Sequence, residues 1–154
     1  MEWAEVIRNP LLRNLPFKIE LTKYGQLLMS PASNKHGMTQ GDTIAEIRKR
    51  RKSGRVIAEC SIQTSDGVKV ADVAWASDEF LKKFGDETPY PQSPELCIEI
   101  ISPSNSKEEI AQKIDLYFAR GAAEVWTISE DRKVQYYRAG LPVKRSDIVP
   151  KFGL

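Results

Sequence analysis

The amino-acid sequence predicts an α/β (α+β) fold, a mixed central β-sheet flanked by helices, on three observations. Residues 55–63 and 68–75 are β-rich runs separated by Thr64-Ser65-Asp66-Gly67, where Asp-Gly suits a tight hairpin reversal. Residues 95–101 form a short apolar run behind the prolines at 89, 91 and 94, the pattern of a central strand covered on both faces. Between 107 and 120, Ile110, Ile114, Tyr117 and Phe118 recur at helical spacing, which lays one face of a helix on the sheet.

In chain order, residues 17–21, a turn at Lys23-Tyr24-Gly25 and residues 26–29 predict a first hairpin that ends at Ser30-Pro31. Composition favours a helix from about 36 to 51, with Ile44 and Ile47 three apart, a basic last turn and Ser53-Gly54 as its stop. The central hairpin follows, and Ser77-Asp78-Glu79 caps a short helix through Phe84. After the strand at 95–101, Ser106 and Glu109 have capping-box spacing at the head of the helix at 107–120, and Gly121 ends it. Residues 125–128 and 134–137 make a last hairpin across 129–133. Tyr136, Tyr137 and the tail at 142–154 serve either as interface material or as closure of the core.

The 154 residues, 41% hydrophobic and 29% charged, fit one domain spanning 1–154. No apolar run approaches the roughly 20 residues of a membrane-spanning helix, and no leader is legible, so the expected location is the cytoplasm. Cys60 and Cys97 lack metal-site spacing and read as small buried hydrophobes. A net charge of +2, from 23 basic and 21 acidic residues, does not by itself announce a nucleic-acid binder. The distribution says more, because Arg48, Lys49, Arg50, Arg51, Lys52 and Arg55 crowd into one stretch. That stretch is either a phosphate-contacting patch or a solvated helix end favoured by the helix dipole.

Asp72 and Glu99 each interrupt an apolar strand, within Val70-Ala71-Asp72-Val73-Ala74 and Cys97-Ile98-Glu99-Ile100-Ile101. Side chains alternate along a strand, so Glu99 shares a face with Cys97 and Ile101, while Leu96, Ile98 and Ile100 point the other way. Burying a carboxylate costs several kcal/mol unless it is paired or binds a cation. Mg²⁺, which takes one or two carboxylates plus waters and phosphate oxygens, is one solution. A pairing of each carboxylate with Lys69, Lys113 or an arginine is the other.

The order of these segments resembles the PD-(D/E)XK nuclease core. More narrowly, the chain is similar to the bacterial family of restriction-endonuclease-like domains of unknown function. The segments that carry the resemblance are residues 25–31 followed by His36, residues 68–75, residues 94–104, and Lys113 through Tyr117 to Gly121 and Val125-Trp126. Together they span a core of about residues 17–137. The resemblance implies hydrolysis of nucleic-acid phosphodiesters, with duplex DNA as the expected partner, dependent on Mg²⁺ (or Mn²⁺) held by Asp72 and Glu99. A lysine would polarise the attacking water, and a homodimer would deliver one site per strand.

Two positions depart from the superfamily. The signature lysine, two residues after Glu99, is Ile101, and the proline before the first carboxylate is Ala71. Lys113 is the replacement: at 100° per residue it lies about 60° from Ile110 and about 40° from Tyr117 around the helix, bordering the buried stripe. It either reaches the Glu99 face or snorkels to water, and Lys69 is a weaker substitute. Glu20 in the first hairpin and Glu46 on the first long helix compete for a third acidic role at the metal. His36 either orients a phosphate or water or caps its helix. Beside the nuclease stand two alternatives: a catalytically inactive module of the same fold that binds nucleic acid or protein, and a phosphoesterase acting on a smaller substrate.

Overall fold

A computed structural model describes all 154 residues. The chain runs α1 (Trp3–Arg8), a 3-10 turn (Pro10–Leu12), β1 (Phe17–Leu21), β2 (Leu27–Pro31), α2 (Asn34–Arg50), β3 (Arg55–Thr64) and β4 (Gly67–Ala76). It continues through α3 (Asp78–Phe84), β5 (Leu96–Ile100), α4 (Lys107–Ala119), β6 (Glu124–Ile128), β7 (Val134–Arg138) and β8 (Leu141–Val143). Ser33, Ser77 and Ser106 each accept a backbone N–H of the following first turn, which fixes where α2, α3 and α4 begin. Ser106 and Glu109 form the reciprocal capping box. No helix is long and apolar enough to cross a membrane.

The eight strands form one sheet in the order β2-β1-β4-β5-β6-β7-β8, with β3 paired to β4. Neighbouring strands are antiparallel except β5 and β6, which run parallel because α4 carries the chain back between them. β4 carries β3 along one edge and shares its other edge between two strands. Val73, Ala74 and Trp75 pair with Ile98, Cys97 and Leu96 of β5, whereas β1 touches β4 through the single pair Leu21↔Val68. Between these pairings the sheet forks.

The fork depends on Gly67. Its φ is +79°, and a Cβ there would lie 2.1 Å from the Leu21 carbonyl oxygen, so only glycine lets β1 approach β4 this closely.

Both faces of the sheet are covered. On one face Ile114 and Tyr117 of α4 and Phe80 of α3 pack with Cys60, Ala71, Ala74 and Cys97 of the sheet. On the opposite face Ile47 of α2 packs with Val73, Trp75, Leu96, Ile98 and Trp126. The tail completes this second layer, since Val149 is buried and the Phe152 ring lies 4.7 Å from Trp126. Tyr136 stands edge-on to Trp126 at 5.1 Å, and Tyr137 packs against the first cluster. The last hairpin and the tail therefore close the core instead of presenting an aromatic interface. The sequence reading gave no element to α1 or β8. Trp3 and Val6 of α1 bury against Leu21, Val68 and Val70 and hold β1 in place from behind.

Candidate active site

Asp72 sits where β4 loses its regularity. The β3–β4 register runs unbroken except at Glu59, which faces Asp72 and takes a left-handed φ of 53°. Ala71 and Ala74 both lie in the cluster under α4, which strict alternation forbids, so β4 rotates at Asp72. Gln40 of α2 secures this distortion by donating to the Asp72 carbonyl at 2.7 Å and to Glu59 Oε1 at 2.9 Å. The rotation swings the Asp72 carboxylate into the fork, where its Oδ2 accepts the Ile100 N–H at 2.8 Å. Glu20 of β1 does the same on the other side, its Oε2 accepting the Val70 N–H at 2.8 Å. Carboxylates thus satisfy backbone donors that have no neighbouring strand.

Glu99 completes the cluster from β5. Its Oε1 accepts the Tyr117 hydroxyl at 2.6 Å. Its Oε2 lies 3.0 Å from Lys18 Nζ and 3.5 Å from Lys113 Nζ. Lys18 Nζ also lies 3.1 Å from Asp72 Oδ1, and Lys113 Nζ lies 3.0 Å from Glu20 Oε1. His36 Nε2 stands 3.4 Å from Asp72 Oδ1. Three buried carboxylates face two ammonium groups, so the cluster carries one uncompensated negative charge while His36 is neutral. The group opens into a cleft of about 1660 Å³.

The protonation balance follows from these contacts. Burial raises the Asp72 carboxyl, but Lys18, His36 and the Ile100 N–H outweigh it and hold Asp72 below the usual carboxylate range. Glu99 goes the other way: burial lifts it, Lys113 and Lys18 offset this only in part, and Asp72 and Glu20 add like-charge repulsion. Burial lowers Lys18, yet Glu99, Asp72 and Glu20 together raise it well above an ordinary lysine. His36 is raised chiefly by its hydrogen bond to Asp72.

The structure brings Asp72, Glu99, Lys113, Glu20 and His36 together. It does not bring Glu46, whose carboxylate pairs with Arg50 at 2.7 Å one helical turn away; this corrects the expectation of a third acidic residue on the first long helix. Of the basic run, only Arg55, which opens β3, lines the cleft. The rest lies at the C-terminal end of α2 and just past it, about 20 Å from His36 along the helix at 1.5 Å per residue. Arg48 donates to the Gly54 carbonyl, and Arg50 is held by Glu46. Arg51 donates to the Ile148 carbonyl and stacks on Trp75, while Lys52 is exposed past the helix end. Arg48, Arg50 and Arg51 therefore hold the fold's own groups. Ser33, not His36, caps α2. Lys69 turns away from the carboxylates to Asp66 at 3.1 Å.

Lys18 and Tyr117 are the members of the cluster that the sequence did not single out. Lys18 alternates with the expected Glu20 on β1 and so shares its face, a signal present in Lys18-Ile19-Glu20-Leu21. Tyr117 lies one turn beyond Lys113 and served only as an apolar stripe residue, although a buried Tyr hydroxyl needs a partner.

No three His, Cys, Asp or Glu side chains converge as a complete metal cage. Asp72 Oδ1 and Glu99 Oε2 nevertheless converge on one cationic nitrogen, Lys18 Nζ, which stands in for a cation at their centre. That donor set fits an ion of the Mg²⁺ type, which takes one or two carboxylates and fills its other positions with water and phosphate oxygens.

A solved structure of a putative nuclease belonging to DUF820, from Anabaena variabilis, superposes with a TM-score of 0.75 at 19% identity, covering 100% of this chain and 94% of that one. The likeness establishes a shared fold. No curated protein matches the chain. Over residues 3–147 the sequence matches the Uma2 family, described as "Putative restriction endonuclease", and the chain belongs to that family.

Proposed function

We propose that this protein is a Mg²⁺- or Mn²⁺-dependent endonuclease acting on nucleic acid, duplex DNA foremost, within one domain spanning residues 1–154. The observation that carries the reading is the convergence of Asp72 and Glu99, each with one oxygen about 3 Å from a common cation, at the floor of an open cleft. A divalent ion held by these two carboxylates would supply Lewis-acid polarisation of the phosphoryl group and a water of lowered pKa. The chain's own residues do the rest. Tyr117 holds Glu99 Oε1, which leaves Oε2 turned toward the cations. Glu20 holds Lys113 beside Glu99, where its ammonium orients the attacking water and meets charge building on the phosphate. Arg13 and Arg55 line the cleft and take the backbone-contacting role that the basic run of α2 does not fill. Two copies related by a two-fold axis would place one site on each strand of a duplex.

The test is nicking of supercoiled plasmid with Mg²⁺ or Mn²⁺, wild type against Asp72→Asn and Glu99→Gln, with metal binding measured by calorimetry on the same samples. Loss of both nicking and metal binding in the two variants is expected. Wild-type protein that binds no metal, even with DNA present, would end the reading. One observation favours the inactive module instead: Lys18 already bridges both carboxylates. Salt-dependent DNA binding that ignores metal and survives Glu99→Gln would establish that alternative.

A further inference from the structure

We propose that Lys18 is the exchangeable cation of this site, holding Asp72 and Glu99 together in the metal-free protein and withdrawing when a divalent ion arrives. The inference rests on the metal-dependent reading above.

Each carboxylate has one oxygen committed to a fixed neutral donor. Asp72 Oδ2 accepts the Ile100 N–H, and Glu99 Oε1 accepts the buried Tyr117 hydroxyl. The oxygens left over are Asp72 Oδ1 and Glu99 Oε2, and the same Lys18 ammonium touches both, at 3.1 and 3.0 Å. The two oxygens offered to an incoming ion are therefore the two that Lys18 occupies. An ammonium and a divalent ion cannot share that position, because like charges a few ångströms apart in a buried site repel strongly.

Of the two lysines, Lys18 is the one free to leave. Lys113 is anchored to Glu20 at 3.0 Å and lies farther from Glu99, at 3.5 Å. Lys18 has no partner other than the two carboxylates, stands at the cleft, and carries its charge on a flexible four-carbon stem. Swinging outward, the ammonium enters the space where a substrate phosphate would lie. Metal and nucleic acid then bind cooperatively: the phosphate accepts the ammonium that the metal expels, and each raises the affinity for the other by the same factor.

Competition from Lys18 reduces the apparent metal affinity to the intrinsic value multiplied by the fraction of molecules in which the ammonium has left the site. The test is calorimetric titration of Mn²⁺ alone, without nucleic acid, into wild type, Lys18→Met, Lys18→Gln and Lys18→Arg. Both neutral variants should bind Mn²⁺ about tenfold more tightly than wild type. Lys18→Arg, which keeps the charge, should bind no more tightly than wild type. Tightening in Lys18→Arg as well would mark loosened packing and overturn the proposal. Mn²⁺ binding by wild type that is unchanged or weakened in the neutral variants would overturn it while leaving the nuclease reading in place. Absence of Mn²⁺ binding in wild type and all variants would overturn it, and absence again with DNA present would overturn the nuclease reading as well. Lys18→Gln carries the same expectation as Lys18→Met and stands in for it if the methionine variant does not fold.

Discussion

Glu99 on β5 and Glu124 on β6 are both about 2% exposed, on adjacent strands, yet their surroundings are opposite in kind. Glu124 accepts from Ser146 Oγ at 2.6 Å, Trp126 Nε1 at 2.9 Å, and the backbone N–H groups of Asp147 at 2.6 Å and Ile148 at 3.2 Å. Its one cationic neighbour, Arg138, is 3.9 Å away. Glu99 has one neutral donor, Tyr117, and two lysines. Glu124 is saturated by neutral donors fixed to the fold, and it pins the C-terminal tail over the sheet. Glu99 is held by charges on flexible stems beside a cleft. A buried carboxylate in a strand is therefore not by itself a sign of chemistry; exchangeable partners and access to the surface are what distinguish the two.

The sharpest way to break this comparison is to neutralise each residue and read both activity and stability. Glu99→Gln should reduce nicking by about 10³-fold, the order expected when a ligand to a catalytic ion is lost. Its unfolding free energy should stay within about 1 kcal/mol of wild type, because the change relieves a crowded negative site even as it weakens the hold on two lysines. Glu124→Ala should do the reverse. Stranding two backbone N–H groups and a buried hydroxyl costs about 3 kcal/mol, or roughly 6–12 °C in melting temperature for a chain of this size. Nicking well below that temperature should be retained. Denaturant melts and plasmid assays on both variants decide it, and a Glu99→Gln protein that melts as poorly as Glu124→Ala would erase the distinction.

A smaller effect tests whether the fork itself builds the site. Gly67→Ala forces a side chain into the Leu21 carbonyl and an unfavourable left-handed backbone, at a cost of about 2–3 kcal/mol. Because Leu21↔Val68 is the one strand pairing between β1 and β4, the substitution should displace Lys18 and Glu20 and lower nicking, whereas the Glu124 cluster should keep its structure. Hydrogen exchange on the amides of Val70 and Ile148 separates the two regions. Faster exchange at Val70 alone is expected, and equal loosening of both would show that the fork is not an independent unit.

This dependence on β1 explains what the sequence made legible. Elements with strong periodicity or capping, the two hairpins at the centre and end, α2, α4 and the strand of Glu99, were readable because each carries its signal locally. Six-residue α1 and three-residue β8 are too short to show a period, and tertiary contact alone stabilises them. In the site, Asp72 and Glu99 stood out because a charge interrupts an apolar strand. Lys18 did not, because a lysine in a half-exposed hairpin is ordinary until the fork brings it between two carboxylates from other strands. Glu46 and the basic run misled for the converse reason. Their spacing suits a functional face, but the end of α2 that reaches the site is the one bearing His36 and Gln40, and their own end lies on the far side.

The smallest expected effect concerns pH and follows from the same contrast. The donors around Glu124 are a hydroxyl, an indole and two backbone amides, none of which titrates between pH 5 and 9. The Asp72 side of the fork has a titrating neighbour. His36 is raised above its ordinary value of 6.5, chiefly by its hydrogen bond to Asp72. A group raised on folding contributes stability that is fully present below the unfolded value and is lost as pH rises through the folded one. The gap between wild type and His36→Gln in chelator-treated protein should therefore be widest near pH 5.5 and close toward pH 9. Partial exposure screens the pair, so the gap should amount to a few tenths of a kcal/mol. Melts of both proteins across that window check the sign. A gap that widens with pH would mean that His36 serves the fold as a neutral ring, and that the charge balance of the fork is set by the lysines and carboxylates alone.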